Sequence, residues 1–343
     1  MSKAAILGFG KYIPQYRIKV SEIAAHNHGD GAAIAAGLGV QEKSVPGTDE
    51  DTFTMAFEAA NDALNVAAVP TGKVSAVFVG SESHPYAVKP TSGMLVSALK
   101  LDPFSHAADL EFACKAGTAA LQIVDAMVRS EQITYGLAVG SDTAQGRPGD
   151  ALEYTAAAGA AALVVGPATH KNAYARIDAT LSYTTDTPDF WRAAGEKYPR
   201  HAGRFTGEPA YFHHVRTATQ AMLDRSKIAM SDVDHVIFHM PNGKFPSRIA
   251  KEFGISKRQM EKGFVVPTIG NTYSACSLIG LVSVLQQAKK GERIMIVSYG
   301  SGSGCDVFVL TMLKDGILPA YQNELPMYLS YSQYLEHTGA FVH

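Results

Sequence analysis

The chain has 343 residues, 46% hydrophobic and 18% charged, enough to bury one large core or two smaller ones. Its net charge of -2 gives no global attraction to nucleic acid or to an anionic membrane, and its three cysteines are too few for a disulfide framework and lack zinc-site spacing. No apolar stretch is long enough to span a bilayer and Met1 to Gly10 lacks a signal-peptide core, so a reducing cytoplasm is the expected location.

In chain order, Ala4 to Gly8 is predicted as a strand and Thr52 to Val66 as a helix. The run Val74 to Val79 is a strand that empties into an acidic, histidine-containing loop, Ser81-Glu82-Ser83-His84-Pro85. Gly117 to Arg129 is a helix, and Tyr135 to Val139 and Ala161 to Val165 are strands. These strands are apolar on both faces, as in a sheet buried between helix layers, so the alternation predicts an α/β architecture. The stretch from Asp186 to His214 breaks the pattern with Trp191, Arg192, Lys197, Tyr198, Arg200, Arg204 and Phe205. It reads as a long, partly irregular excursion over a cleft. The tail after Leu318 carries Tyr321, Tyr328, Tyr331 and Tyr334 with weak periodicity, and reads as a surface or partner-facing segment.

The chain also repeats itself. The strand Ser75 to Val79 with its loop at Glu82 matches His235 to Phe238 followed by His239-Met240-Pro241-Asn242-Gly243. The small residues of Cys114 to Leu121 match Ser274 to Leu281, and each stretch precedes a strand that ends in Gly-Ser, at Gly140-Ser141 and Gly300-Ser301. Two copies of one unit, divided into 1–170 and 171–343, bring the loops at the carboxyl ends of both sets of strands to a shared cleft.

Cys114 lies in Glu111-Phe112-Ala113-Cys114-Lys115-Ala116-Gly117, ahead of apolar positions at Leu121, Val124 and Val128. That places a thiol at the mouth of a buried helix, where free N–H groups and the helix dipole favour thiolate, and a thiolate there can accept an acyl group. A buried, inert cysteine fits the local pattern equally well. Glu82, in a water-poor loop, is a candidate base, and His239 ends the matching strand of the second half. Singly, each has an ordinary structural explanation. Their common placement at strand ends favours a catalytic set.

Seven segments carry a resemblance. They are Gly37 to Pro46, Gly80-Ser81-Glu82-Ser83-His84-Pro85, Glu111-Phe112-Ala113-Cys114, Gly203 to Pro209, His239-Met240-Pro241-Asn242-Gly243-Lys244, Gly270-Asn271-Thr272-Tyr273-Ser274 and Ser298 to Gly302. In this order and spacing the chain resembles the archaeal type of 3-hydroxy-3-methylglutaryl-CoA synthase, in the thiolase superfamily, from Gly8 to about Leu318. The resemblance implies a thiolase-like five-layered αβαβα fold of two duplicated halves, and a homodimer. It implies that acetyl-CoA and acetoacetyl-CoA are the substrates, with no separate cofactor and no metal. It further implies that Cys114 carries the acetyl group, Glu82 deprotonates its methyl and His239 serves the acetoacetyl carbonyl. Asn271 and Ser301 would orient substrate, and Thr155 and Thr206 would contact the acyl part. Lys244, Arg248 and Arg204 would bind coenzyme A, and Asp30 matches loosely. Archaeal members also resemble components of an assembly with an acetoacetyl-CoA thiolase and a zinc-ribbon/OB-fold protein. One departure stands out: bacterial and eukaryotic members carry a tyrosine where Gln145-Gly146 stand here.

Two alternatives remain on sequence. A 3-oxoacyl-acyl-carrier-protein synthase III would share Cys114, His239 and Asn271 but would make its carbanion by decarboxylation and need no Glu82. A non-catalytic acyl-CoA-binding subunit would have no use for all three of Cys114, Glu82 and His239.

Overall fold

The computed structural model describes residues 3–143, 146–318 and 325–340. The first part of the chain forms β1 (Ala4–Tyr12), β2 (Tyr16–Lys19), α1 (Val20–His26), α2 (Gly31–Leu38), β3 (Glu42–Val45), α3 (Thr52–Ala67), β4 (Val74–Gly80), α4 (Thr91–Ala98), β5 (His106–Leu110), α5 (Ala116–Arg129), β6 (Tyr135–Asp142) and β7 (Gly159–Pro167). The second forms β8 (Ala175–Thr184), β9 (Phe190–Trp191), β10 (Arg200–His201), α6 (Gly203–Phe205), α7 (Phe212–Ser226), β11 (His235–Phe238), α8 (Lys244–Glu252), α9 (Lys257–Met260), α10 (Val266–Ile269), α11 (Cys276–Leu285), β12 (Arg293–Gly300), β13 (Gly304–Met312), β14 (Met327–Tyr328) and α12 (Tyr331–His337). Every strand and helix predicted above from an apolar run is present.

A nine-stranded sheet runs β11-β12-β13-β8-β1-β7-β6-β4-β5. Its two wings meet where β1 and β8 pair antiparallel, at Ala5–Arg176 and Ile6–Ala175. In one wing β4 lies parallel to both β5 and β6. In the other β11 lies parallel to β12. Three apolar clusters give the layers. Leu121 and Val124 of α5 and Leu278 and Leu281 of α11 share one core with the inner faces of both wings. Ala56, Ala59, Ala60 and Ala63 of α3 cover the outer face of the first wing. Val215, Ala218 and Met222 of α7 cover that of the second. The order is therefore helix, sheet, helix, sheet, helix, the five-layered αβαβα arrangement. The alanine stripe explains the close approach of α3, and Asp51 starts that helix with a capping box to Thr54.

Parallel pairing fixes where chemistry can gather. The carboxyl ends of β4 and β6 adjoin, as do those of β11 and β12, so the loops at Glu82, Asp142, His239 and Ser301 all leave strand ends.

Two segments depart from expectation. The tail is not a free surface segment: β14 pairs with β2, and Tyr331 and Tyr334 are buried against Ile18, Ile23 and Val45. Aromatic rings spaced three apart on α12 supply the apolar stripe that weak periodicity hid, and they pack on elements of the first part of the chain. Of the four tail tyrosines, Tyr328 is exposed and Tyr321 lies outside the described residues. The excursion is shorter than predicted. It contains the β9–β10 hairpin and α6, while Phe212, His213 and His214 already belong to α7.

Candidate active site

Cys114 sits two residues before α5, after Ala113 in left-handed backbone at φ +44°. A non-glycine residue there stores local strain, about 1–3 kcal/mol, that the surrounding packing must hold. The packing is tight because Gly117 and Gly140 let backbones touch: a Cβ on either would lie 2.5 Å from the Ser274 carbonyl oxygen. That oxygen belongs to the loop preceding α11, so the two halves meet directly beneath the thiol. Lys115 is tied down by a buried ion pair, its Nζ 3.1 Å from Asp306, which also accepts from Thr118 and Ser182.

Cys114 is 3% exposed and packs with Ala156, Tyr273 and Phe190. Its thiol lies near the Glu82 carboxyl, close enough for each to act on the other's charge. Burial first, then the Glu82 charge, push the thiol well above its ordinary value. The expected preference for thiolate is thus overturned at rest: desolvation and a facing carboxylate outweigh the helix dipole, which acts only over the first turn. Burial, then the charge of Asp142, push Glu82 up to about 8. Its Oε1 is buried and without a hydrogen-bond partner among the described residues.

Asp142 organises this corner, and sequence reading missed it. Its carboxylate accepts from Ser81 Oγ (2.8 Å), Glu82 N (2.8 Å), Ser83 Oγ (2.6 Å), Ser274 N (2.9 Å) and Ser274 Oγ (2.5 Å). One buried group therefore clamps the Glu82 loop to the loop that opens α11. Burial raises its pKa, and the Ser274 and Ser83 hydrogen bonds oppose that. An aspartate closing a strand carries no sequence pattern that marks such a role.

His239 leaves β11 with its N–H donated to Val297 O (2.8 Å) and its carbonyl held by Tyr211 Oη (2.8 Å). Both ring nitrogens are buried and unpartnered among the described residues, and burial lowers the imidazole to about 3. It is neutral, one nitrogen a donor and the other an acceptor, with nothing to bond. Tyr299 lies between the surroundings of this ring and those of the thiol. Its ring centroid is 6.5 Å from that of His239, and its hydroxyl interacts electrostatically with Cys114.

The remaining candidates fall into two groups. Asn271 donates its backbone N–H to Thr155 O (2.7 Å) and accepts from Ala157 N (2.9 Å), so Asn271 and Thr155 form one buried edge beside Cys114 and Ala156. Ser301 follows β12 in the turn to β13. Lys244 and Arg248, one turn apart on α8, line a cleft of about 760 Å³ with Gln41, Phe212, Phe245 and Lys251. The Arg248 guanidinium stacks 4.2 Å above Phe212. Lys251 is a further cation of that cleft, legible in principle from its i+3 spacing from Arg248. Arg204 is exposed on α6, and Thr206 Oγ1 caps the same turn by donating to Gly203 O (2.9 Å). Asp30 is not brought to this centre. It is the exposed N-cap of α2, accepting from Ala32 N and Ala33 N. The departure near Gly146 is sterically closed: a Cβ there would lie 2.6 Å from Glu153 Cα, and Gln145 lies outside the described residues.

Comparison with known proteins bears on this geometry. The chain is 52% identical to the hydroxymethylglutaryl-CoA synthase of Methanocaldococcus jannaschii over 96% of its own length and 97% of that protein's. It is 49% identical to that of Archaeoglobus fulgidus, over 97% of each. The chain belongs to the hydroxymethylglutaryl-CoA synthase family. Residues 223–312 also match the family model for the 3-oxoacyl-[acyl-carrier-protein] synthase III C terminus. Among solved structures, an HMG-CoA synthase complexed with CoA superposes with a TM-score of 0.87 at 23% identity, over 97% of this chain and 90% of that one. A 3-oxoacyl-(acyl carrier protein) synthase III from Pseudomonas aeruginosa superposes with a TM-score of 0.80 at 21% identity, over 92% and 100%. These two likenesses show a fold common to both enzyme classes.

Proposed function

We propose that the chain condenses acetyl-CoA with acetoacetyl-CoA and water to give 3-hydroxy-3-methylglutaryl-CoA and CoA, the synthase step of the mevalonate route to isoprenoids. The observation that carries this reading is the Glu82 carboxyl, with its Oε1 buried, beside the buried Cys114 thiol and raised to about 8. As acetyl-CoA arrives, the thiol passes its proton to the ionised form of Glu82 and attacks; the acetyl–CoA carbon–sulfur bond breaks, and CoA leaves as thiol with the proton returned by Glu82, so the acetyl group stays on Cys114. Glu82, once ionised again, takes a proton from the acetyl methyl. A carboxyl tuned near the working pH suits that task better than an ordinary carboxylate. The enolate attacks the acetoacetyl ketone, whose oxygen accepts the neutral His239 ring N–H, and the proton that Glu82 took from the methyl is relayed to the new alkoxide, so that His239 ends neutral as it began. Water then cleaves the thioester. Asn271, Thr155, Ser301 and Thr206 orient the acyl groups, and Lys244, Arg248 and Arg204 hold the phosphates of coenzyme A. A 3-oxoacyl synthase III reading has the shared C-terminal family match in its favour, but it gives Glu82 no work. A single-turnover assay with acetyl-CoA and acetoacetyl-CoA tests the proposal. Failure to form 3-hydroxy-3-methylglutaryl-CoA, with turnover on malonyl thioesters instead, overturns it.

The substrates require no further cofactor. We read the wings meeting at β1 and β8 as duplicated halves divided near residue 170, and the working unit as a cytoplasmic homodimer. The dimer reading is supported by β5, an edge strand beside exposed Phe104 and Val88. We further propose association with an acetoacetyl-CoA thiolase and a zinc-ribbon/OB-fold protein, on a surface where Leu318, Leu325 and Tyr328 stand exposed. Size-exclusion chromatography of the co-expressed proteins decides this. Elution of the chain only as its own dimer at micromolar concentration rejects the assembly.

A further inference from the structure

Release of product creates a charge problem at Cys114. Water adds to the thioester carbonyl and the carbon–sulfur bond breaks. The sulfur leaves as thiol with one of water's protons. The other proton leaves the new carboxylic acid, so a carboxylate appears where a neutral acyl group had been. It forms beside Asp142 and, whenever Glu82 is ionised, beside that carboxylate as well, in a water-poor corner where like charges repel. The nearest cation in sequence, Lys115, is committed to Asp306 at 3.1 Å from each carboxylate oxygen.

Arg192 is differently placed. It follows β9, and its Nη2 donates to the Glu82 carbonyl oxygen at 2.5 Å while Nη1 donates to Glu196 O at 3.2 Å. Among the described residues no carboxylate is ion-paired with it, and its charge acts on the Glu82 carboxyl. Arg192 itself is exposed, but the segment that carries it is anchored. The residue two before β9's end, Asp189, is fully buried and accepts from Tyr299 Oη (3.1 Å), Gly302 N (2.9 Å) and Thr187 Oγ1 (2.7 Å). Phe190 packs on the Cys114 cluster, and Trp191 pairs with Arg200 across the hairpin. The hairpin is rooted on the floor of the site and carries an unspent guanidinium to its acidic rim.

We propose that Arg192 is a catalytic residue of the hydrolytic step, binding the carboxylate released from Cys114. The proposal rests on the synthase reading above and assigns this chain a specificity element for the carboxylate end of its product. A guanidinium suits that end because its planar fork matches a carboxylate.

The test compares two inhibitors that differ only at that end: 3-hydroxy-3-methylglutaryl-CoA and 3-hydroxy-3-methylbutyryl-CoA, which lacks the carboxylate. In the unaltered enzyme the first should inhibit more tightly by roughly 10–100-fold, the scale of one charge-assisted contact. Arg192→Gln should bring the two together, and Arg192→Lys should keep part of the difference. In rapid-quench single turnovers Arg192→Gln should accumulate the glutaryl thioester on Cys114. Undiminished discrimination in Arg192→Gln overturns the proposal. So does loss of Cys114 acetylation in both variants, which would make Arg192 a structural support of the pocket. An unaltered enzyme that forms no 3-hydroxy-3-methylglutaryl-CoA would instead overturn the synthase reading itself.

Discussion

Cys114 and Cys276 stand at comparable places in the two wings, each beside the first turn of a central-layer helix. Both are buried, at 3% and 1% exposure, and burial raises both thiols, Cys276 to about 12. They differ in what they face. Cys276 Sγ accepts the Met240 backbone N–H at 3.3 Å, a partner that cannot take a proton. Cys114 faces Glu82, which can. The left-handed residue keeps its place in the repeat, Ala113 before Cys114 and Tyr273 before Ser274, so it is the cysteine that is displaced, to three residues beyond Tyr273. Asn271 lies on the buried edge with Thr155, and Cys276 packs instead with Val20, Val40 and Val266. Burial alone therefore does not make a nucleophile. On the mechanism proposed above, what sets Cys114 apart is the carboxyl beside it.

The largest effect should come from erasing that difference at Cys114. Cys114→Ala should lower turnover on the order of 10⁶-fold, the scale of removing a covalent nucleophile. Peptide mapping after labelled acetyl-CoA should place the acetyl group on Cys114. Label on Cys276 or Cys305 would break the comparison.

Removing the acceptor comes next. Glu82→Gln should slow condensation by about 10²–10⁴-fold and slow acetylation of Cys114 less, because only the methyl proton strictly requires a positioned base. Stopped-flow acetylation and steady-state condensation, measured side by side, check the split. Equal losses in both would mean that Glu82 serves the thiol alone.

Binding is assigned to the second wing. Lys244→Ala and Arg248→Ala should each raise KM by roughly 10–100-fold, from about 1.5–3 kcal/mol per charge-assisted contact. A constant KM with a collapsed kcat would place these cations at the reacting atoms instead of in the α8 cleft.

The acid corner sets the pH response. Glu82 is faced by Asp142, Cys114, Arg192 and Tyr273. A carboxyl raised to about 8 is largely protonated at neutral pH, so the base form grows and condensation quickens as pH rises toward a plateau above about 8. Asp142→Asn removes a neighbouring negative charge, so Glu82 should fall and the rise should begin at lower pH. Melting should show a loss of about 1–3 kcal/mol, since an amide cannot accept all five donors. A pH profile unmoved by Asp142→Asn would separate Glu82 from this limb.

Much of this was legible in sequence, and the reasons are specific. Strands apolar on both faces announced the layered sheet, and the recurrence of a small-residue helix start after a strand placed Cys114, Glu82 and His239 at strand ends. What pattern could not supply was anything depending on who faces whom. The dipole argument for Cys114 was sound but incomplete, because Glu82 approaches from 32 residues earlier in sequence and desolvation acts on both. Asp142 looked like the end of a strand. Asp30 looked like a ligand and caps a helix. The tail's tyrosines suggested an interface, and two of them pack on β2, α1 and β3 of the same chain.

The smallest effect sharpens the comparison most. Cys276→Ala should leave acetylation and condensation within about twofold, because its sulfur faces only backbone. It should cost about 0.5–1.5 kcal/mol in melting, the scale of one buried methyl. The thiol's other contact, toward Met240 O at 3.8 Å, is too long to add much. Met240 directly follows His239, so Cys276 backs the strand end that carries the imidazole. If Cys276→Ala keeps its stability yet loses condensation with acetylation intact, the sulfur is holding His239 in register, and the second cysteine has a catalytic duty exercised through its neighbour.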